Sequence, residues 1–118
     1  MIRFLGGVIN DKINSLAEIM TKEMGKPILQ SYKEVEKVIS FCNYYSENYE
    51  KLYPVNIKSN AKKKTLIRYE PLGTIYNMVP FNFPFFLNFK GGLPNLLLGN
   101  CLLVRNPDST PMLGQAIE

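Results

Sequence analysis

The chain is 118 residues long, the size of one ordinary domain, which excludes a catalytic domain plus a separate cofactor domain within this stretch. Apolar residues make up 46% and charged residues 20%, a globular composition that fits neither a disordered chain nor a membrane bundle. Histidine is absent and the net charge is only +4, so imidazole bases, Ser-His or Cys-His pairs and imidazole metal sites are excluded, and no patterned basic patch points to nucleic acid.

From Ile2 to Met24 the apolar residues Ile2, Leu5, Ile9, Ile13, Leu16, Met20 and Met24 recur every three or four positions, which predicts one amphipathic helix. Gly6 and Gly7 weaken its first turns by about 1 kcal/mol each, moving the expected start toward Val8, and Gly25 with Pro27 ends it. The apolar patch Ile2 to Ile9 is too short for a signal segment or a spanning helix. A second helix is expected from Ile28 to Tyr53, with Tyr32, Val35, Val38, Ile39, Cys42, Tyr45, Tyr49 and Leu52 on one face and Pro54 as its stop. Core packing is the expected role of its tyrosines and Phe41.

Polar residues from Val55 to Lys64 read as a loop, with Lys62, Lys63 and Lys64 as a solvated run. Thr65 to Glu70 alternates like a half-exposed strand, and Thr74 to Val79 is an apolar run expected to be buried on both faces. Loop Pro80 to Pro84, helix Phe85 to Leu98, Gly99 as its cap and strand Cys101 to Arg105 complete a βαβ unit. Thr110 followed by Pro111 reads as an N-cap and first helical position. The fold class is therefore α/β: N-terminal helices over residues 1–64, then the first βαβ of a Rossmann-like cofactor domain over 65–118, an incomplete unit with open sheet edges and marginal stability expected. Cys42 and Cys101, without a CxxC pattern, are expected to be reduced, buried structural thiols.

Several motifs occur in order: Leu16-Ala-Glu-Ile-Met-Thr-Lys-Glu-Met-Gly-Lys-Pro, Glu34-Val-Glu, Glu70-Pro-Leu-Gly-Thr-Ile-Tyr-Asn-Met-Val-Pro-Phe-Asn-Phe-Pro-Phe-Phe, Gly92-Leu-Pro-Asn-Leu-Leu-Leu-Gly-Asn and Val104-Arg-Asn-Pro-Asp-Ser-Thr-Pro. Together they resemble the aldehyde dehydrogenase superfamily along essentially the whole chain, within it most nearly the succinate-semialdehyde dehydrogenase-like and nonphosphorylating glyceraldehyde-type branches. The resemblance implies that Pro80 to Pro84 matches the family's Pro-Trp-Asn-Phe-Pro loop, with Asn82 aiming its amide at the aldehyde oxygen to form the oxyanion hole. It also implies that Val79, Pro80, Phe81 and Asn82 approach the nicotinamide end of the cofactor, Phe81 replacing the usual Trp. Arg105-Asn106-Pro107-Asp108 takes the place of a Lys-Pro-Ser-Glu type segment, whose Lys and acidic residue hold the adenine ribose.

By the same resemblance the glycine-rich pyrophosphate turn, the general-base Glu and the nucleophilic Cys of the family lie beyond these residues. The chain is then the N-terminal portion of an NAD(P)-dependent aldehyde dehydrogenase that oxidises a semialdehyde to its acid, inert alone, with NAD favoured over NADP because the Asp108 carboxylate repels a 2′-phosphate. No metal, nucleic acid or membrane is implied; the partners are a small-molecule aldehyde and, for the whole enzyme, copies of itself in a cytoplasmic homo-oligomer. The competing reading is a stand-alone nucleotide-binding or subunit-interaction module without catalysis.

Overall fold

A computed structural model of the chain describes residues 1–53, 56–60 and 63–118, with the backbone alone for 56–60. Pro54 as a helix stop and Lys62 of the lysine run lie outside the described residues.

Three helices open the chain: α1 (Ile2–Asp11), α2 (Ile13–Met24) and α3 (Ile28–Leu52). The single helix expected over Ile2 to Met24 is broken at Lys12, whose backbone leaves helical geometry (φ −103°, ψ 10°). The break follows Asn10-Asp11, short polar residues whose side chains compete with helical backbone bonds. The start moves the other way, to Ile2 rather than Val8, because Gly6 is buried and lets α1 lie directly on α3. A Cβ at Gly6 would stand 3.0 Å from the Cys42 Cβ. Gly25 ends α2 in the left-handed region (φ 71°), its N–H donating to the Thr21 carbonyl at 2.9 Å, as expected.

The buried face of α3 is Ser31, Glu34, Val35, Val38 and Cys42. This corrects the expected face in part: Tyr49 and Leu52 are exposed, as is Tyr44, which was expected to pack in the core, while Glu34 sits inside an apolar stripe. One contiguous core joins Ile2, Ile9, Leu16, Met20, Val35, Val38 and Cys42 to Phe85, Phe86, Leu93 and Leu113 from the second half of the chain.

Residues expected to form a loop are instead β1 (Asn56–Asn60), paired antiparallel with β2 (Lys63–Ile67) from Asn56 opposite Ile67 to Asn60 opposite Lys63. Polar composition misled the reading here, since a solvated two-stranded ribbon needs no apolar face. The half-exposed strand expected over Thr65 to Glu70 is corrected in bounds and burial: it ends at Ile67, and every residue of β2 is exposed, Lys63 and Lys64 included, because no described element covers either face.

The βαβ unit is present as expected: β3 (Thr74–Met78), α4 (Pro84–Leu97) and β4 (Cys101–Arg105), the strands parallel with Thr74 opposite Cys101 and Met78 opposite Arg105. Its sheet is not buried on both faces. Ile75 and Asn77 are half-covered on the α4 side, whereas Tyr76 and Met78 are 54% and 67% exposed. Buried Asn100 fixes the entry to β3, its Oδ1 accepting the Leu72 and Gly73 N–H groups at 2.6 and 3.0 Å. Gly99 (φ 85°) follows the end of α4, the left-handed position that favours glycine. The last element is α5 (Pro111–Ile117). The molecule is elongated, 64 × 25 × 19 Å, with a radius of gyration of 17.4 Å against about 13.5 Å for a compact chain of this length.

Candidate active site at the carboxyl ends of the parallel strands

Parallel strands expose their carboxyl ends to ligands because the loops leaving them splay apart there. Both segments singled out in the sequence leave the sheet at that end. The buried Val79 donates its N–H to the Arg105 carbonyl at 3.2 Å, so the loop after β3 and the segment after β4 start side by side. Pro80, Phe81 and Asn82 are all exposed, Phe81 at 66%. The Asn82 amide has no hydrogen-bond partner among the described residues, which leaves its N–H groups free for a ligand oxygen.

The loop is anchored at its far side. Phe83 precedes α4 with non-helical backbone (φ −140°, ψ 59°) and Pro84 occupies the first helical position, where a missing N–H costs nothing. The orphan N–H of Phe86 is satisfied by Glu34 Oε1 at 2.9 Å. The other oxygen of Glu34 pairs with Lys26, and both groups are nearly buried, with side chains 2% and 12% exposed. A carboxylate at a helix N-terminus also meets the positive end of the helix dipole. Lys26 in turn lies 5.8 Å from the centre of the Phe83 ring. Thus α3 and the linker before it set the start of α4 and the loop that carries Asn82.

The same device recurs at α5. Thr110 is at the N-cap position as expected, but its hydroxyl donates to the Pro107 carbonyl at 3.4 Å instead of capping the helix. Glu23 of α2 supplies the cap, accepting the Met112 and Leu113 N–H groups at 2.7 and 3.0 Å.

Arg105 and Asp108 are both exposed and pair with each other at 2.8 Å. The guanidinium and the carboxylate are therefore presented as a neutral unit. Asn106 and Pro107 are half-buried between them. Beside the Asn82 loop a cleft is lined by Gln30, Lys33, Glu34, Lys37, Phe83 and Phe86, with the Lys37 ammonium 4.0 Å above the Phe86 ring centre.

Neither cysteine reaches this end. Cys42 is fully buried in α3, and burial pushes its thiol above the ordinary value, offset in part by a hydrogen bond to its own backbone, so it is a packing thiol. Cys101 is exposed, not buried as expected, because the face of β4 that carries it is uncovered. It pairs with Thr74 at the opposite end of the strands. No cluster of three metal-binding side chains occurs among the described residues, and no described helix is long and apolar enough to cross a membrane.

Sequence reading missed Glu34 and Glu23 as residues that shape the site, and Asn88 as a buried polar residue. The available signal was a local contradiction: Glu34 within the spacing of Val35 and Val38, and Asn88 between Leu87 and Phe89 inside an apolar helix.

The profile of the aldehyde dehydrogenase family matches residues 1–118. The chain is 31% identical over 116 residues to the NAD(P)+ succinate semialdehyde dehydrogenase Sad of Escherichia coli K12, covering 98% of this chain and 25% of that protein. Among solved structures it resembles succinic semialdehyde dehydrogenase from Streptococcus pyogenes in complex with NADP+ (TM-score 0.91, 22% identity, 98% of this chain and 26% of that one). It also resembles glyceraldehyde-3-phosphate dehydrogenase from Methanocaldococcus jannaschii complexed with NADP (TM-score 0.89, 26% identity, 98% and 25%). The chain spans about a quarter of the length of the relatives it matches.

Proposed function

Since the chain belongs to the aldehyde dehydrogenase family, we propose that it forms the N-terminal part of an NAD(P)-dependent oxidation site for a semialdehyde, contributing the oxyanion loop and the adenosine-side contacts. The observation that carries this is the Val79 N–H bond to the Arg105 carbonyl, which starts both segments at one end of the sheet. In this reading residues 1–64 are the helical support and 65–118 begin the cofactor domain.

The free Asn82 amide stabilises negative charge growing on the aldehyde oxygen more than it stabilises the starting carbonyl. Val79, Pro80 and Phe81 present backbone and an apolar ring toward the nicotinamide end, and Arg105, Asn106, Pro107 and Asp108 face the adenine ribose. The donor and acceptor set fits a dinucleotide: Asp108 accepts from ribose hydroxyls, and Arg105 beside it offers a positive charge. Their mutual pairing removes most of the charge argument against a 2′-phosphate, and the NADP named for several relatives favours NADP as well as NAD. When bound, such a cofactor accepts the hydride of the oxidation.

Lys33 and Lys37 on the cleft beside Phe83 suit an aldehyde bearing a negative charge, in line with the succinate semialdehyde of the relatives' names. With both thiols remote from Asn82, the nucleophile comes from outside these residues. A cytoplasmic homo-oligomer is the setting inferred for the complete enzyme.

The test is an assay of reduced-cofactor formation from succinate semialdehyde, using the purified chain alone and mixed with a polypeptide covering the remaining length of a succinate-semialdehyde dehydrogenase relative. Turnover in the mixture only is expected. Turnover by the chain alone overturns its incompleteness, and saturable NAD(P) binding with no turnover in the mixture favours a nucleotide-binding module.

A further inference from the structure

Asn88 is 4% exposed on a helix whose neighbouring inward residues are Phe85, Gly92 and Leu93. Its amide nitrogen donates twice, to the Pro84 carbonyl at 2.9 Å and to Asn106 Oδ1 at 2.7 Å. Its own Oδ1 is buried without a partner among the described residues. From the other side, Asn77 of β3 donates its Nδ2 to the Asn88 main-chain carbonyl at 3.2 Å. Three asparagines thus link β3, α4 and the segment after β4, the elements from which both loops of the site depart.

Two glycines leave room for the outer two amides, while Asn88 itself borders a cleft lined by Phe89, Gly92, Leu93 and Leu102. A Cβ at Gly91 would stand 2.8 Å from Asn77 Oδ1, and one at Gly114 would stand 3.0 Å from Asn106 Nδ2. An orphaned buried acceptor is unfavourable and offsets the two bonds that the amide donates, so net stability gives little reason for an asparagine there. The amide orientation is also forced: turned over, Asn88 would direct Oδ1 at the Pro84 carbonyl oxygen.

We propose that Asn88 is a positioning residue, whose doubly donating amide fixes Asn106, and with it Arg105 to Asp108, relative to the Asn82 loop for a dinucleotide lying across both. This rests on the reading of Arg105 to Asp108 as cofactor contacts. Polarity distinguishes the variants. Asn88→Asp sets a carboxylate against two acceptors, Asn88→Leu removes the donors without adding charge, and Asn106→Asp keeps the acceptor that Asn88 needs.

The experiment is performed on the full chain with three readouts: hydrogen exchange of the Thr110 amide, which donates to the Pro107 carbonyl at 3.0 Å, denaturant unfolding, and titration with NAD+. Both Asn88 variants are expected to speed Thr110 exchange about fivefold, the equivalent of one hydrogen bond, whereas Asn106→Asp leaves it within about twofold. Asn88→Leu is expected to unfold at no lower denaturant than the parent while its NAD+ affinity falls about fivefold. Unchanged exchange in both Asn88 variants overturns the proposal, as does an affinity loss in Asn88→Leu matched by a fall in stability. Accelerated exchange in the Asn88 variants of a parent that binds no NAD+ upholds the asparagine link and overturns the cofactor reading of Arg105 to Asp108 instead.

Discussion

The Glu34 carboxylate accepts the backbone N–H of Phe86 at 2.9 Å across 52 positions of sequence, tying the long N-terminal helix to the first turn of the helix behind the Asn82 loop. With its second oxygen paired to Lys26, this is a buried charge satisfied on both sides. Removing one partner of such a pair leaves the other uncompensated. Glu34→Ala is therefore expected to cost about 3–5 kcal/mol. Glu34→Gln keeps an acceptor for Phe86 and is expected to cost about 1–3 kcal/mol. Urea unfolding of both variants checks this, and a Glu34→Ala change below about 0.5 kcal/mol would show that the contact carries no stability.

Glu23 makes a separable contribution. Its two oxygens take the Met112 and Leu113 N–H groups, so α5 depends on α2 for its cap. Glu23→Ala is expected to lower stability by about 1–2 kcal/mol, the range of N-cap losses, and to speed amide exchange in Pro111–Ile117 while leaving α3 unchanged. Equal exchange in the variant and the parent would mean that α5 is held by Leu113 packing alone.

These two glutamates also mark where sequence reading stopped. The helices, the parallel strands and the βαβ order were legible because apolar spacing and the Pro and Gly positions report local structure directly. The placing of Asn82 and Arg105 at one sheet end followed from the same order. What was illegible came from contacts between distant segments: Glu34 and Glu23 look like ordinary surface charges until the helices they cap are placed against them. β1 and the first two residues of β2 were missed for another reason, since they carry no apolar alternation, whereas Thr65–Ile67 did read as strand; Cys101 was misjudged because its face of β4 is uncovered.

Gly6 and Gly7 are adjacent in sequence and opposite in consequence. A Cβ at Gly6 meets the Cys42 Cβ at 3.0 Å, whereas at Gly7 nothing among the described residues lies within 4 Å. Gly7→Ala is expected to stabilise α1 by up to about 1 kcal/mol through helix propensity. Gly6→Ala gains the same propensity but must push α1 off α3, and is expected to lose about 1–2 kcal/mol net. Thermal melts of the two variants should move in opposite directions; a shared direction defeats the packing argument.

Alkaline pH should weaken the fold through two groups. Burial raises the Cys42 thiol above its ordinary 9.0. For Tyr53, burial comes first, then the neighbouring phenols of Tyr45, Tyr49 and Tyr69, raising it above 10.0. A group raised in the folded state binds its proton more tightly there than in the unfolded chain. Its stabilisation is complete below the unfolded value and is lost as pH climbs through the folded one. Unfolding free energy is thus expected to fall as pH rises above about 9. Cys42→Ala should show a shallower decline from that point and Tyr53→Phe a shallower decline from about 10. Parallel pH profiles for parent and variants would show that neither group is responsible.

Asn82 separates chemistry from folding. Its side chain is exposed and without a partner among the described residues, so Asn82→Ala is expected to leave the unfolding free energy within about 0.5 kcal/mol. In the reconstituted enzyme the same change removes a donor that acts as charge develops on the aldehyde oxygen. A fall in kcat of about 100- to 1,000-fold is expected, with KM for the semialdehyde little changed, because the ground-state carbonyl gains less from that N–H than the transition state does. Asn82→Asp should be at least as slow, its carboxylate meeting like charge where the amide would have donated. A rise in KM at constant kcat would reassign Asn82 to simple substrate binding, and full activity in Asn82→Ala would remove it from the site.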